Sequence, residues 1–222
     1  MDRREFTAAL LSAPWAGTAW AGLSEGDAAA GVRAALERGA LAAVSLLGRS
    51  DGFLGNPQVR IALPGFLGDA ARLLRATGQS RKVDELITAM NRAAEAAVPM
   101  AKPLFVSTVR SISVEDALKL VRGGATSVTD FFAGKTRLPL AEQFLPIVTR
   151  ATEKVSLAAR YNAVAGKAAR LGLVKGDEVN VQTYVTGRAL DGLFLMIGEE
   201  EKKIRADPLK SGSAILKKVF GS

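Results

Sequence analysis

The residues of this chain that could do chemistry are few in kind. Its 222 residues include no His and no Cys. Thiolate nucleophiles, disulfides, an imidazole general base and nearly all zinc sites are therefore excluded. Carboxylates, Lys, Tyr, Ser and Thr remain, together with oxygen ligands for a hard cation. Glu201 stands out because, at about 100° per residue, it shares a helical face with Leu190, Phe194, Ile197 and Ile204. An ionised carboxylate in an apolar stripe needs a partner or a raised pKa. The expectation is an inward-facing Glu201 met by an Arg, Lys or hydroxyl donor from another helix, with Arg92 and Lys135 the first candidates. Glu199 and Glu200 point elsewhere on the helix, so the run of three Glu is not a metal site.

The other candidates are spread along the chain. Arg92 and Glu95 are three apart and can pair on one helix surface, with Asn91 at the edge of the adjoining apolar stripe. Lys135 follows Phe131 and Phe132, a cation beside an apolar surface at what reads as a helix end. Tyr161 lies on an apolar stripe. A hydrolase or lyase would need Glu201 and a second carboxylate, Glu95 or Asp191, roughly 5 to 10 Å apart in one cleft. As ligand contacts the candidates are Asn91, Arg92, Glu95, Lys135, Tyr161, Asp191 and Glu201. No catalytic residue, metal site or cofactor is assigned. Gly52-Phe53-Leu54-Gly55 and Gly123-Gly124 make no phosphate-binding fingerprint, and no Ser sits in a nucleophile elbow.

Helical periodicity dominates the elements that must position these groups. Val32, Leu36, Ala40, Ala43, Val44 and Leu47 form one stripe, begun by Ser24 and ended by Gly48, with Arg33 and Glu37 paired outside it. Turn residues fill Asp51 to Pro57, and Val59 to Leu63 reads as an extended connector. Phe66, Leu67, Ala70, Leu73 and Leu74 mark a second helix closed by Gly78. A third, capped by Ser80, carries Val83, Leu86, Ile87, Met90, Ala94 and Ala97. Leu104, Phe105, Val109 and Ile112 continue beyond Pro103, and Ser113 to Asp116 is a capping box. A short helix from Thr126 carries Phe131 and Phe132. A separate one, kinked at Pro146, packs Ala141, Phe144, Leu145, Val148 and Val155. Leu157, Tyr161, Val164, Ala168 and Leu171 form a further stripe. A long helix from about Val181 to Ala206 precedes a last one bearing Ile215, Leu216, Val219 and Phe220. The expected fold is all-α: a single compact domain, a helical bundle of about eight to ten helices.

Residues 1–21 read as an export signal peptide. Arg3 and Arg4 begin it, Thr7 to Ala19 is weakly apolar, and Ala19-Trp20-Ala21 fits a cleavage site. Arg3-Arg4-Glu5-Phe6 resembles a twin-arginine signal, with the Sec route as the alternative. Residues 22–222 would then form the helical domain, periplasmic or otherwise exported, with no transmembrane segment. The chain is basic, with a net charge of +8. That charge suits an anionic polymer or membrane surface, while the scatter of Lys and Arg without aromatic interleaving argues against nucleic acid.

Several segments resemble one bacterial family of exported proteins, domain of unknown function family 4197. They are Asp51 to Pro57, Met90 to Glu95, Phe144 to Val148, Tyr161-Asn162, Tyr184 to Phe194 and Glu199 to Arg205. The resemblance spans the mature chain and implies a helical envelope protein, with no reaction or ligand attached. The residue inventory points first to non-enzymatic binding of an amphipathic ligand or envelope partner. Electrostatic attachment to an anionic surface comes second, and carboxylate-dependent hydrolysis or lyase chemistry third.

Overall fold

The computed structural model describes residues 25–172, 178 and 180–207. The expected signal peptide, the Ser24 cap and the last helix bearing Ile215 to Phe220 lie outside the described residues. The described residues are mostly helical, with no strand among them. The helices are α1 (Glu25–Leu47), α2 (Gly68–Ala76), α3 (Ser80–Ala97), α4 (Ala101–Arg110), α5 (Val114–Arg122), α6 (Ser127–Thr152), α7 (Ser156–Arg170) and α8 (Val181–Ala206). Short 3-10 turns, Gly65–Leu67 and Val98–Met100, lead into α2 and α4.

The core is a single cluster built around α8, which packs against α1, α3, α6 and α7. Between Val181 and Gly198 only Arg188, Asp191 and Leu195 are exposed. Such all-round burial marks a central helix rather than a surface one. Small residues permit the close approach: a Cβ on Gly192 would lie 2.8 Å from the Phe53 ring and 3.2 Å from Val59. Phe105 of α4 stacks edge-on against Phe132 of α6 at 5.3 Å and Phe194 of α8 at 6.4 Å, joining three helices at one point.

Several expectations differ from the structure for physical reasons. The break anticipated between residues 132 and 141 does not occur, so two expected helices are one 26-residue α6 that passes through Pro139 and Pro146. Val128, Phe132, Thr136, Leu140, Phe144, Val148 and Thr152 are buried at every fourth position. A four-residue step drifts about 40° around a helix, so the stripe winds around α6, which packs against α8, α3 and α4. The carbonyls that the prolines leave without helical donors belong to Lys135 and Glu142, both exposed, where water can satisfy them. Lys135 is accordingly in mid-helix rather than at a helix end.

On α7 the buried arc holds Leu157, Ala158, Tyr161 and Ala165, while Val164 and Leu171 are exposed. The helix is rotated toward its alanines, which let it sit closer to its neighbours. Leu73 and Leu145, also placed on inner faces by periodicity, face solvent. Ser80 is the first residue of α3 rather than its cap, whereas Ser113 does cap α5 by accepting from the Asp116 N–H at 3.0 Å.

Leu193 is wholly buried on α8, so Leu193→Ala is expected to cost about 2 to 5 kcal/mol. Gly192→Ala should cost about 1 to 3 kcal/mol by overpacking against Phe53. Urea denaturation of both variants checks this, and a wild-type midpoint for either would place α8 at the periphery.

Candidate functional site

Asn91, Arg92 and Glu95 come together on α3, and all three grip the segment that follows α1. The Glu95 carboxylate is buried and takes two successive backbone amides, Phe53 and Leu54, each at 3.1 Å. Its other oxygen accepts from Arg92 at 2.7 Å, the pairing expected from their spacing. Arg92 also reaches Ser50 at 3.0 Å and the Asp51 carboxylate at 2.8 Å. Asp51 adopts a left-handed backbone, φ +63°, which Asp tolerates better than most residues. Gly52 follows, where a Cβ would come within 2.4 Å of the Leu47 carbonyl.

Asn91 completes this grip. Its amide accepts from the Ile61 N–H and donates to the Ile61 carbonyl, both at 2.8 Å. A side-chain amide thereby does for the extended connector what a partner strand would do.

Glu201 is buried as its place on the stripe requires, and a hydroxyl donor from another helix does meet it: Thr129 Oγ1 at 2.8 Å. The basic partner is neither Arg92 nor Lys135. It is Arg205, one turn along the same helix, whose Nη2 lies 2.9 Å from the carboxylate. Glu201 also accepts the backbone amides of Val128 at 3.2 Å and Thr129 at 2.9 Å. These lie in the first turn of α6, whose own Thr126 supplies no side-chain cap. Arg205 in turn donates to the Leu120 carbonyl near the end of α5 and to Ser127 Oγ, at 2.9 and 2.8 Å. The pair thus places negative charge at the start of α6 and positive charge at the end of α5, as both helix dipoles favour.

Other polar residues follow the same habit, and the sequence pattern did not single them out. Arg33, expected to pair with Glu37, instead donates twice to the Ile112 carbonyl beyond α4, at 2.9 and 2.7 Å. Asn162 accepts from Val181 N–H at 2.8 Å, beside the local cap from Asn180 to Thr183 N–H at 2.8 Å. Tyr184 donates to the Ala62 carbonyl at 2.8 Å. Arg205 was within reach of helical spacing, being i+4 from Glu201. The contacts of Arg33 and Tyr184 span 79 and 122 residues and leave no local signal.

Tyr161 is buried, edge-on to Phe66 at 5.9 Å, with its hydroxyl 3.3 Å from the Glu178 carbonyl. Burial pushes its phenol far above the usual tyrosine range, with the nearby Tyr184 and Glu178 adding to the shift. Burial also raises Tyr184, though Arg188 opposes it. Both phenols therefore stay protonated at neutral pH, where neither can serve as a base.

Asp191 and Glu201 line different hollows. Asp191 pairs with Arg137 of α6 at 2.6 Å and, more loosely, with Arg188 at 3.7 Å. With Arg188, Tyr184, Gly192 and Leu195 it forms one wall of an open groove whose other wall is Gln58 to Gly65. Glu201 lines a separate slot, between α1 and α8. Lys135 is exposed elsewhere on α6. Among the described residues no three acidic side chains gather to hold a metal ion.

Residues 22–221 match the family described as "Protein of unknown function (DUF4197)". The chain belongs to this family. No curated protein and no solved structure matches it. Most segments on which the DUF4197 resemblance rests carry the grips just described: the Asp51 to Pro57 turn, Asn91 to Glu95, Tyr161-Asn162, and the stretch from Glu199 to Arg205. The Tyr184 to Phe194 segment also carries the groove wall.

Two outcomes follow for this DUF4197 chain. Glu201→Ala removes the carboxylate that balances the Arg205 charge and the acceptor of two amides, and should cost about 3 to 5 kcal/mol in chemical denaturation; near-wild-type stability would show that the α5–α6 junction does not need it. For the tyrosines, a folded-state pKa raised above the ordinary value near 10 means that the folded chain holds its protons more tightly. Their contribution is fully present below about pH 10 and is lost as pH rises through the folded value. In a spectrophotometric titration, phenolate absorbance should therefore appear above pH 10 together with loss of helical ellipticity. Ionisation of both phenols near pH 10 with helicity intact would be the contrary result.

Proposed function

We propose that this DUF4197 chain is an exported, non-enzymatic binding protein that takes an amphipathic small molecule in the groove between residues 58–65 and α8. The observation that carries this reading is the stripe Arg188, Asp191 and Leu195, the face that a central helix leaves uncovered between Val181 and Gly198. That face opens into a groove of about 370 Å³, within the range of small-ligand clefts, roughly 300 to 1,000 Å³. Leu63, Pro64 and Leu195 supply apolar surface there, next to the polar ends of Arg60, Glu178 and Arg188.

Carboxylate catalysis has less to rest on. Asp191 and Glu201 are ten residues apart on one helix, roughly 15 Å along its axis, and they line different hollows. Glu95 and Glu201 are both occupied by backbone amides and arginines. A pair sharing one cleft, as glycosidase-like chemistry needs, is not assembled from them. The signal-like residues 1–21 supply the address.

Native mass spectrometry of protein purified from the envelope of its host tests the reading. The expected result is a chain beginning near Gly22 that carries a bound amphiphile released by organic solvent. An intact Met1, or protein free of ligand in every preparation, would overturn it.

A further inference from the structure

The uncovered stripe of α8 reads, in order, as a cation, an anion and an apolar side chain, and the two charges are not equally engaged. Asp191 is taken by Arg137 at 2.6 Å. Arg188 stands 3.7 Å from the other Asp191 oxygen and is about half exposed, 52%. Its guanidinium lies over the Tyr184 ring, 5.4 Å from the centroid. Tyr184 cannot swing away readily, because its hydroxyl is held by the Ala62 carbonyl on the opposite wall. An arginine stacked on a fixed ring keeps its planar fork of donors at the edge of the stack, the arrangement that suits a planar or tetrahedral oxyanion. Arg60 faces the same groove. Among the described residues the groove is lined by two arginines, Arg60 and Arg188, and two acids, Glu178 and Asp191, and Arg137 of α6 takes up Asp191.

Leu195 lies seven residues beyond Arg188, two turns and about 10 Å along the same face. It is 44% exposed and shares the groove with Leu63 and Pro64. The charged and apolar parts are thus separated along one line. The volume sits at the low end of ligand clefts, which suits one chain rather than two.

Resting on the groove reading above, we infer that the ligand is a single-chain amphiphile with an oxyanion head, held by Arg188 at the head and packed along Leu195 by its chain. Isothermal titration calorimetry on the full chain tests this with decanoate and decyl phosphate, against 1-decanol and decyltrimethylammonium, all below their micellar concentrations. The two anions should bind at least about tenfold more tightly than the neutral and cationic probes. Arg188→Met should erase that preference, and Leu195→Asp should weaken all binding. Both side chains are exposed, so circular dichroism should show wild-type folding for each variant. Equal binding of decanol and decanoate, unchanged in Arg188→Met but lost in Leu195→Asp, would overturn the oxyanion head and leave the groove reading standing. Binding of no probe, or binding indifferent to Leu195→Asp, would overturn both.

Discussion

A buried carboxylate that accepts two successive backbone amides is the interaction on which this fold most depends. It occurs twice. Glu95 takes Phe53 and Leu54, Glu201 takes Val128 and Thr129, and each is balanced by an arginine on its own helix. A buried amide left without a partner costs about 1 to 3 kcal/mol, and the first turns of helices and tight loops have such amides in surplus. An acid from a neighbouring helix meets two of them at once. The charge that would be costly alone is offset by donors on several sides. Glu201 with Arg205 goes further, because one ion pair caps both helices of the α5–α6 junction with the sign each terminus favours.

The same logic sets the shape of the surface. The chain between α1 and α2 has no secondary structure of its own between Arg60 and Pro64, and it is pinned on two sides. Asn91 holds Ile61 from α3, and the Tyr184 hydroxyl holds Ala62 from α8. Glu95 anchors its start while Phe53 packs against Gly192, where any side chain would collide. The segment touches α8 closely only where Phe53 and Val59 meet Gly192 and where the Tyr184 hydroxyl reaches Ala62. It stands beside the helix, and the space between the two is the groove.

Legibility from sequence followed the range of each interaction. The α1 stripe from Val32 to Leu47 was readable in full because one helix face met one core, and all six of its residues are buried. The inward turn of Glu201 was readable for the same reason. Its hydroxyl donor comes from another helix, Thr129, while its basic partner is Arg205, at a spacing of four on its own helix. Within α6, Gly134, Lys135 and Pro139 look like punctuation. A buried residue at every fourth position from Val128 to Thr152, with Thr136 and Thr152 bonding back to their own helix, outweighed them. On α7 the inner face was placed by large residues, whereas the alanines decided it. The groove was not legible at all: Arg188, Asp191 and Leu195 look like the outer face of any amphipathic helix until the chain from Gln58 to Gly65 is laid opposite them.

That last point separates two populations of polar residues in a chain with no His or Cys. Asn91, Arg92, Glu95, Asn162, Glu201 and Arg205 are each committed to backbone groups or to one another at hydrogen-bonding distance, so their chemistry is spent on holding loops and helix ends. Among the described residues Arg188 is held more loosely, 3.7 Å from Asp191, and rests on the Tyr184 ring. Conformational entropy makes it costly to order a long side chain without a partner, and here the ring does the ordering that an acid would otherwise do. The arginine is thereby held over the ring with its side chain about half exposed. An arginine serving only structure would gain more by closing on Asp191 as Arg137 does. Arg137 holds the acid, and Arg188 is left facing the groove between α8 and the pinned segment.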